Sequence, residues 1–245
     1  MADAPVALIT GAAHRIGAAI ARALHQQGWR VIIHYWQSAD NARMLAASLN
    51  QQRPDSAHTL RANLEQHDAT LHLAEQALAH WQRMDLLVNN ASTFYPTAIT
   101  AATEADWNTL MASNLKAPFF IAQQLAPALT KQRGSIINLI DIHAQKPLSQ
   151  HSVYCAAKAG LAMLTQSLAL ELAPAVRVNG IAPGAILWPP GVTPDSNTES
   201  QWLAGIPLAR KGDPDDIANT VLFLTQAHYI TGQVIAVDGG KSLSR

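Results

Sequence analysis

The 245-residue chain carries 17 lysines plus arginines against 17 aspartates plus glutamates, so no net field recruits nucleic acid or an anionic membrane surface. Apolar residues make up 49 % of it, enough for a sizeable core, and the single cysteine, Cys155, excludes an internal disulfide and suits a reducing compartment. No uninterrupted apolar run of about 18 residues occurs, and the amino end lacks a basic stretch leading into a long apolar one; the expectation is a cytoplasmic protein with no membrane partner.

Strand and helix patterns alternate along the chain. Pro5 to Thr10 reads as a buried strand, then a glycine-punctuated turn leads to a helix from Ile16 to Gln27, stopped by Gly28. Trp29 to Tyr35 is the second strand, Ala39 to Gln51 a helix, Ala57 to Arg61 the third strand and His67 to Trp81 the next helix. Met84 to Asn89 forms an apolar fourth strand, followed by one long helical region from Glu104 to Lys131. Gly134 to Ile140, a helix from Ser152 to Leu172, and Val176 to Ile181 follow. After a span rich in proline and glycine come a helix from Pro214 to Thr225 and a last strand from Gln233 to Val237. Apolar strands separated by helices of this length predict an α/β fold: a parallel sheet with helices on both faces. With no linker, composition break or internal repeat, a single domain over 1–245 is expected.

In such sheets ligands bind beyond the carboxyl ends of the strands. The polar clusters after strands one, four and five, namely Thr10 to Gly17, Asn89 to Thr93 and Asp141, should therefore share one crevice. Gly11 and Gly17 permit a tight turn and close backbone approach at a helix N-terminus that favours phosphate. Arg15 stands where a middle glycine is expected, and its guanidinium can pair with phosphate oxygens. The second strand ends in His34-Tyr35-Trp36-Gln37-Ser38 with no carboxylate to hold an adenosine 2′-hydroxyl. With Arg15, His34 and Ser38 nearby, that favours a 2′-phosphate and NADPH/NADP over NAD; Ser38 also reads as a helix N-cap. Asn63 and Leu64 after the third strand suit an adenine pocket, although Asn63 reads equally as a turn former. Asn90, Ala91 and Ser92 suit a ribose. Tyr154 and Lys158, four residues apart on one helical face, form the candidate reactive pair. The lysine ammonium should lower the tyrosine pKa from about 10 toward the range of a proton donor. Y-x-x-x-K alone also fits a half-buried helix with a snorkelling lysine. Cys155 beside the pair is read as a packing residue, since no histidine partner is evident. The ten histidines form no H-E-x-x-H and have no cysteine cluster beside them, so no metal site is expected.

The motifs T-G-x-x-x-R-I-G at 10–17, N-N-A-S at 89–92, the mid-helix Asn114, Y-x-x-x-K at 154–158 and Pro183-Gly184 resemble the short-chain dehydrogenase/reductase family over the whole chain. The resemblance implies a doubly wound, seven-stranded Rossmann-type fold, a nicotinamide cofactor and a homotetramer. It implies Tyr154 as proton donor, Lys158 on the nicotinamide ribose and lowering the tyrosine pKa, and Asn114 supporting a relay water. His14, Ile16, Tyr35, Pro183, Gly184 and Ile186 would complete the cofactor contacts. One departure narrows the family: Asp141 stands where a serine is usual, and a carboxylate repels the carbonyl oxygen that a serine would bind. Together with H-R-I-G at 14–17, H-Y-x-x-S at 34–38, N-A-S-x-F-Y-P at 90–96 and V-D-G-G-x-S-L-x-R at 237–245, this resembles the pteridine reductase subgroup. That implies NADPH-dependent reduction of oxidised and dihydro pterins, of biopterin or monapterin type or folates. Phe94 would stack on the pterin, Ser92 and Arg15 would lie beside it, and Leu187 and Trp188 would wall it from a substrate loop around 185–205. Arg245 of a neighbouring subunit would approach the site. Asn63 and Trp36-Gln37 depart from the subgroup, which favours an aspartate and a basic pair there. A carbonyl reductase of the 3-oxoacyl type and a non-catalytic NADP sensor are the competing functions; Asp141 opposes the first, the intact Asn114, Tyr154 and Lys158 the second.

Overall fold

The computed structural model describes residues 4–188 and 203–244. Its strands are β1 (Val6–Ile9), β2 (Arg30–Tyr35), β3 (Ala57–Arg61), β4 (Leu86–Asn89), β5 (Ser135–Leu139), β6 (Arg177–Pro183) and β7 (Val234–Val237). All pair in parallel, in the order β3-β2-β1-β4-β5-β6-β7. Alternation along each strand divides the core between the two faces. Ala7, Ile9, Val31, Ile33, Leu86, Val88 and Ile137 face one way, against α1 (Arg15–Gln26), α2 (Ala39–Gln52) and α7 (Pro214–Gln226). Val6, Leu8, Ile32, Leu87 and Ile136 face the other way, against α3 (His67–Trp81), α5 (Ala117–Gln132) and α6 (Ser152–Glu171). Helix α6 has a mean hydropathy of 1.2, apolar enough by composition to cross a membrane, yet half of it is buried inside the protein. Two-sided burial is why the strands read as unbroken apolar runs.

The chain runs from β1 outward to β3, then returns to lay β4 on the other side of β1. That reversal opens a crevice at the carboxyl ends of β1 and β4. The predicted long helix from Glu104 to Lys131 is broken in the middle: α4 (Glu104–Met111) passes through a π turn (Ala112–Lys116) into α5. Two side chains account for the break. Asn114 Nδ2 donates to the carbonyl of Leu110, four residues back, and Pro118 has no N–H to give the carbonyl of Asn114. Strand bounds differ from the sequence expectation by a residue or two, mostly at strand starts, where apolar residues precede the paired stretch.

Candidate active site

Two strand ends, those of β1 and β4, are stitched together at the crevice. Thr10 Oγ1 accepts the N–H groups of Asn90 and Ala91 at 2.9 and 3.0 Å, and Asn90 Nδ2 donates to the carbonyls of Thr10 and Gly11 at 2.8 and 3.1 Å. Gly11 adopts φ +62°, and a Cβ there would lie 2.9 Å from Ala91 Cα. One on Gly17 would lie 2.6 Å from Asn90 Nδ2 and from the Gly11 carbonyl oxygen. Only glycine fits either place. Arg15, at φ +55°, takes the left-handed conformation that a middle glycine would otherwise supply.

Beyond this turn lies a cavity of about 440 Å³ lined by Gly11, His14, Arg15, Ile16 and Gly17 from the first turn. Ser38, Asn63, Leu64, Asn90, Ala91 and Ser92 complete the predicted part of its lining. Helix α1 enters it with no acid in its first turn and no side-chain cap from His14, whereas α4 and α7 both carry full capping boxes. An uncapped N-terminus beneath two glycines, with Arg15 on the rim, fits a dinucleotide diphosphate. Ser38 sits at the N-cap of α2 without a side-chain cap bond, leaving its hydroxyl to the cavity. Asn63 Oδ1 accepts from Glu65 N at 3.1 Å, so this residue makes the turn and lines the cavity as well.

Two cofactor expectations change. His34 reaches the cavity wall, but its Nδ1 accepts from Gly11 N at 3.0 Å and its Nε2 faces the Ala62 carbonyl at 3.1 Å. Both nitrogens serve the backbone, and burial pushes its pKa down to about 4, so a charged imidazole on a 2′-phosphate is excluded. Tyr35 lines neither cavity; the pleat turns it to the opposite side, against the first core. Trp36 and Gln37 line the wall in its place.

A second cavity, of about 450 Å³, shares Arg15, Ile16, Asn90 and Ser92 with the first. It gathers Phe94, Asp141, Tyr154, Lys158, Pro183, Gly184, Ile186 and Leu187. The Tyr154 hydroxyl donates to Asp141 Oδ2 at 2.7 Å, while Asp141 Oδ1 accepts His143 N at 2.8 Å. Lys158 Nζ is buried and donates to the Leu139 carbonyl at 2.9 Å; it stands 5.7 Å from the centre of the Tyr154 ring. The expected lowering of the tyrosine pKa is reversed. Burial and the adjacent Asp141 carboxylate raise the phenol well above its usual value, a Ser92 hydrogen bond opposing them. Burial also lowers Lys158 to about 8, with Asp141 opposing.

Phe94 is 51 % exposed, with its ring stacked on His151 (centroids 4.6 Å apart) and edge-on to Tyr154 (4.8 Å). Asn114 lines neither cavity. Its Oδ1 accepts from Ser92 Oγ at 2.8 Å and its Nδ2 donates to the carbonyls of Thr93 and Leu110, both at 2.9 Å. The side chain braces Ser92, and Pro118 has no N–H to bond the Asn114 carbonyl in an α-helical turn. Trp188 contributes its carbonyl, which accepts from Arg15 Nη2 at 3.0 Å. The remainder of the expected substrate loop, 189–202, and Arg245 lie outside the described residues. Sequence reasoning missed Lys241, which lines the second cavity, because it fell at a variable position of the terminal V-D-G-G-x-S-L motif. Cys155 Sγ accepts from Leu148 N at 3.4 Å and packs with the small Leu110, Val153 and Tyr154 cluster.

The family model described as enoyl-(acyl carrier protein) reductase matches residues 11–242. Pteridine reductase 1 of Leishmania tarentolae is 38 % identical, the match covering 99 % of this chain and 98 % of the relative. A 3-oxoacyl-(acyl-carrier-protein) reductase of Staphylococcus epidermidis is 35 % identical over 96 % of this chain and 97 % of its own. A putative ketoacyl reductase of granaticin polyketide synthesis from Streptomyces violaceoruber is 34 % identical over 98 % of this chain and 97 % of its own. With the sheet order, the stitched glycine turn and the Tyr154–Lys158 helix, these matches show that the chain belongs to the short-chain dehydrogenase/reductase family of oxidoreductases.

Proposed function

We propose that the protein is a cytoplasmic, NADPH-dependent pteridine reductase, converting oxidised and dihydro pterins to their tetrahydro forms. The observation that carries this reading is the Asp141 carboxylate, 2.7 Å from the Tyr154 hydroxyl where the substrate oxygen of a ketone would have to sit. An acceptor-only group there repels a carbonyl oxygen and attracts N–H donors of a ring. Phe94, exposed toward the cavity, offers a flat apolar plate for a fused aromatic ring. The relative named as a pteridine reductase supports the same choice. Bound NADPH would supply the hydride. Tyr154 delivers a proton to the neighbouring ring nitrogen of an oxidised pterin, and Asp141, with water, orients the ring and supports protonation of a dihydropterin. Lys158 holds positive charge near the phenol and would bind the nicotinamide ribose of a bound cofactor.

The choice of NADPH is supported by Trp36-Gln37-Ser38, which bring no carboxylate to the end of β2, and by Arg15 on the cavity rim. Arg61, 4.6 Å above the Trp36 ring, adds a second guanidinium at this wall. The reading includes a homotetramer, for which exposed Phe119, Met163 and Leu170 give apolar surface.

The test is a panel of oxidised pterin, dihydropterin, dihydrofolate and a 3-oxoacyl thioester, followed by NADPH absorbance with wild type and Tyr154→Phe. Wild type should reduce the pterins and leave the thioester nearly untouched. Tyr154→Phe should lose about 10²-fold or more in turnover of oxidised pterin while still binding NADPH. Turnover of the thioester alone would establish the carbonyl-reductase reading instead.

A further inference from the structure

The two cavities meet at Arg15, Ile16, Asn90 and Ser92, so that edge of the second cavity is its cofactor side. The remaining wall contains Asp141, His143, Leu148 and Lys241. Lys241 arrives from the segment after β7 and is held on a built turn. Asp238 accepts the N–H groups of Gly240 and Ser242 at 2.8 and 2.7 Å. Lys146 Nζ donates to the Ser244 carbonyl, and Ser244 Oγ donates to the Gly205 carbonyl at 2.7 Å. Both sides of the lysine are thereby fixed. Lys241 and Asp141 line the same cavity; partial burial lowers the lysine's pKa, the Asp141 charge raises it and the Lys146 charge lowers it.

An ammonium has three donors and no acceptor. Asp141 beside it is acceptor-only when ionised. This wall therefore suits a group that both accepts and donates, as a hydroxyl does. On the pterin reading, Arg15 and Ser92 on the cofactor side would take the ring's amino-oxo edge, and the substituent on the ring being reduced would then reach the wall opposite.

We propose that Lys241 is a specificity-determining residue that hydrogen-bonds the oxygen-bearing tail of the substrate, so that the enzyme prefers pterins with a short hydroxylated side chain over those with a bare alkyl group. The inference rests on the pterin reading above. It fits a substrate whose tail oxygen lies close to the ring, within reach of a side chain that is itself inside the cavity.

The experiment measures kcat/KM with NADPH for a dihydropterin carrying a trihydroxypropyl tail and for one carrying only a methyl group, in wild type, Lys241→Met and Lys241→Arg. The ratio of tailed to methyl substrate should fall about tenfold in Lys241→Met, the size expected for a lost charge-assisted hydrogen bond. It should largely return in Lys241→Arg, which a purely packing role would not produce. A wild type that reduces both pterins with a ratio unmoved, within about twofold, by Lys241→Met overturns the inference alone. Equal losses on both substrates overturn it too, since they place the lysine on the ring or in the scaffold. A wild type that reduces neither pterin sinks the pterin reading, and this inference with it.

Discussion

Lys158 is an ammonium with almost no water around it, 2 % exposed and bonded to one carbonyl. Burial lowers its pKa from 10.5 to about 8, so holding the charge at neutral pH costs on the order of 3 kcal/mol. The sign follows: a depressed lysine contributes stability that is full above 10.5 and is lost as pH falls through about 8. Function runs the other way, because the charged form is the useful one. With NADPH and oxidised pterin, log kcat/KM should be level below pH about 8 and fall with a slope near −1 above it. A profile level to about pH 10 would remove Lys158 as the titrating group. The spacing of Tyr154 and Lys158 was readable from i, i+4 periodicity. The dominance of Asp141 over the phenol was not, because its position in a loop thirteen residues away says nothing of a 2.7 Å approach. His34 misled for a related reason: its chemistry suits phosphate, but strand register decides what its nitrogens meet.

At the level of elements, α6 is keyed to the sheet by a buried polar chain. Asn89 Nδ2 donates to Asn138 Oδ1 at 2.8 Å, Asn138 Nδ2 donates to Thr165 Oγ1 at 2.9 Å, and Thr165 Oγ1 donates to the Leu161 carbonyl at 2.8 Å. These side chains are 3 %, 1 % and 0 % exposed, and they link β4, β5 and the helix that carries Tyr154 and Lys158. Asn138→Leu strands two buried partners, so it should destabilise the protein by about 2 kcal/mol and lower Tm by roughly 6 °C. An unchanged melting temperature by circular dichroism would show that the chain carries no stability. Apolar runs made β4, β5 and α6 legible, but a polar residue inside an apolar strand does not announce its partner. The break between α4 and α5 was hidden differently: Pro118 marks it, yet a proline in the first turn of a new helix and one within a single helix look alike in sequence.

For the molecule as a whole, the alternation of strands and helices sufficed to give a parallel sheet and one shared crevice, since few other packings bury such strands on both faces. What escaped it was how the ends are locked. His34 joins the turn after β1 to the residue following β3 through β2, and its pKa is depressed from 6.5 to about 4. Such a group contributes stability that is present above pH 6.5 and is lost as pH falls through about 4. Across that window the free energy of unfolding should drop by about 3 kcal/mol from this residue. Urea titrations at stepped pH should show a shallower drop for His34→Gln, which starts less stable. Parallel slopes for the two proteins would shift the acid sensitivity elsewhere.

The positions of Pro5 and Ser244 relative to the cavities have a practical side. Pro5 precedes the amino end of β1, opposite the strand ends that line both cavities. Lys241 stands in the substrate cavity wall, and the Ser244 carbonyl accepts from Lys146 Nζ. An affinity tag, fluorophore or surface tether carried beside Pro5 leaves the cavities facing solution, whereas one carried beside Ser244 lies three residues from the Lys241 wall of the substrate cavity.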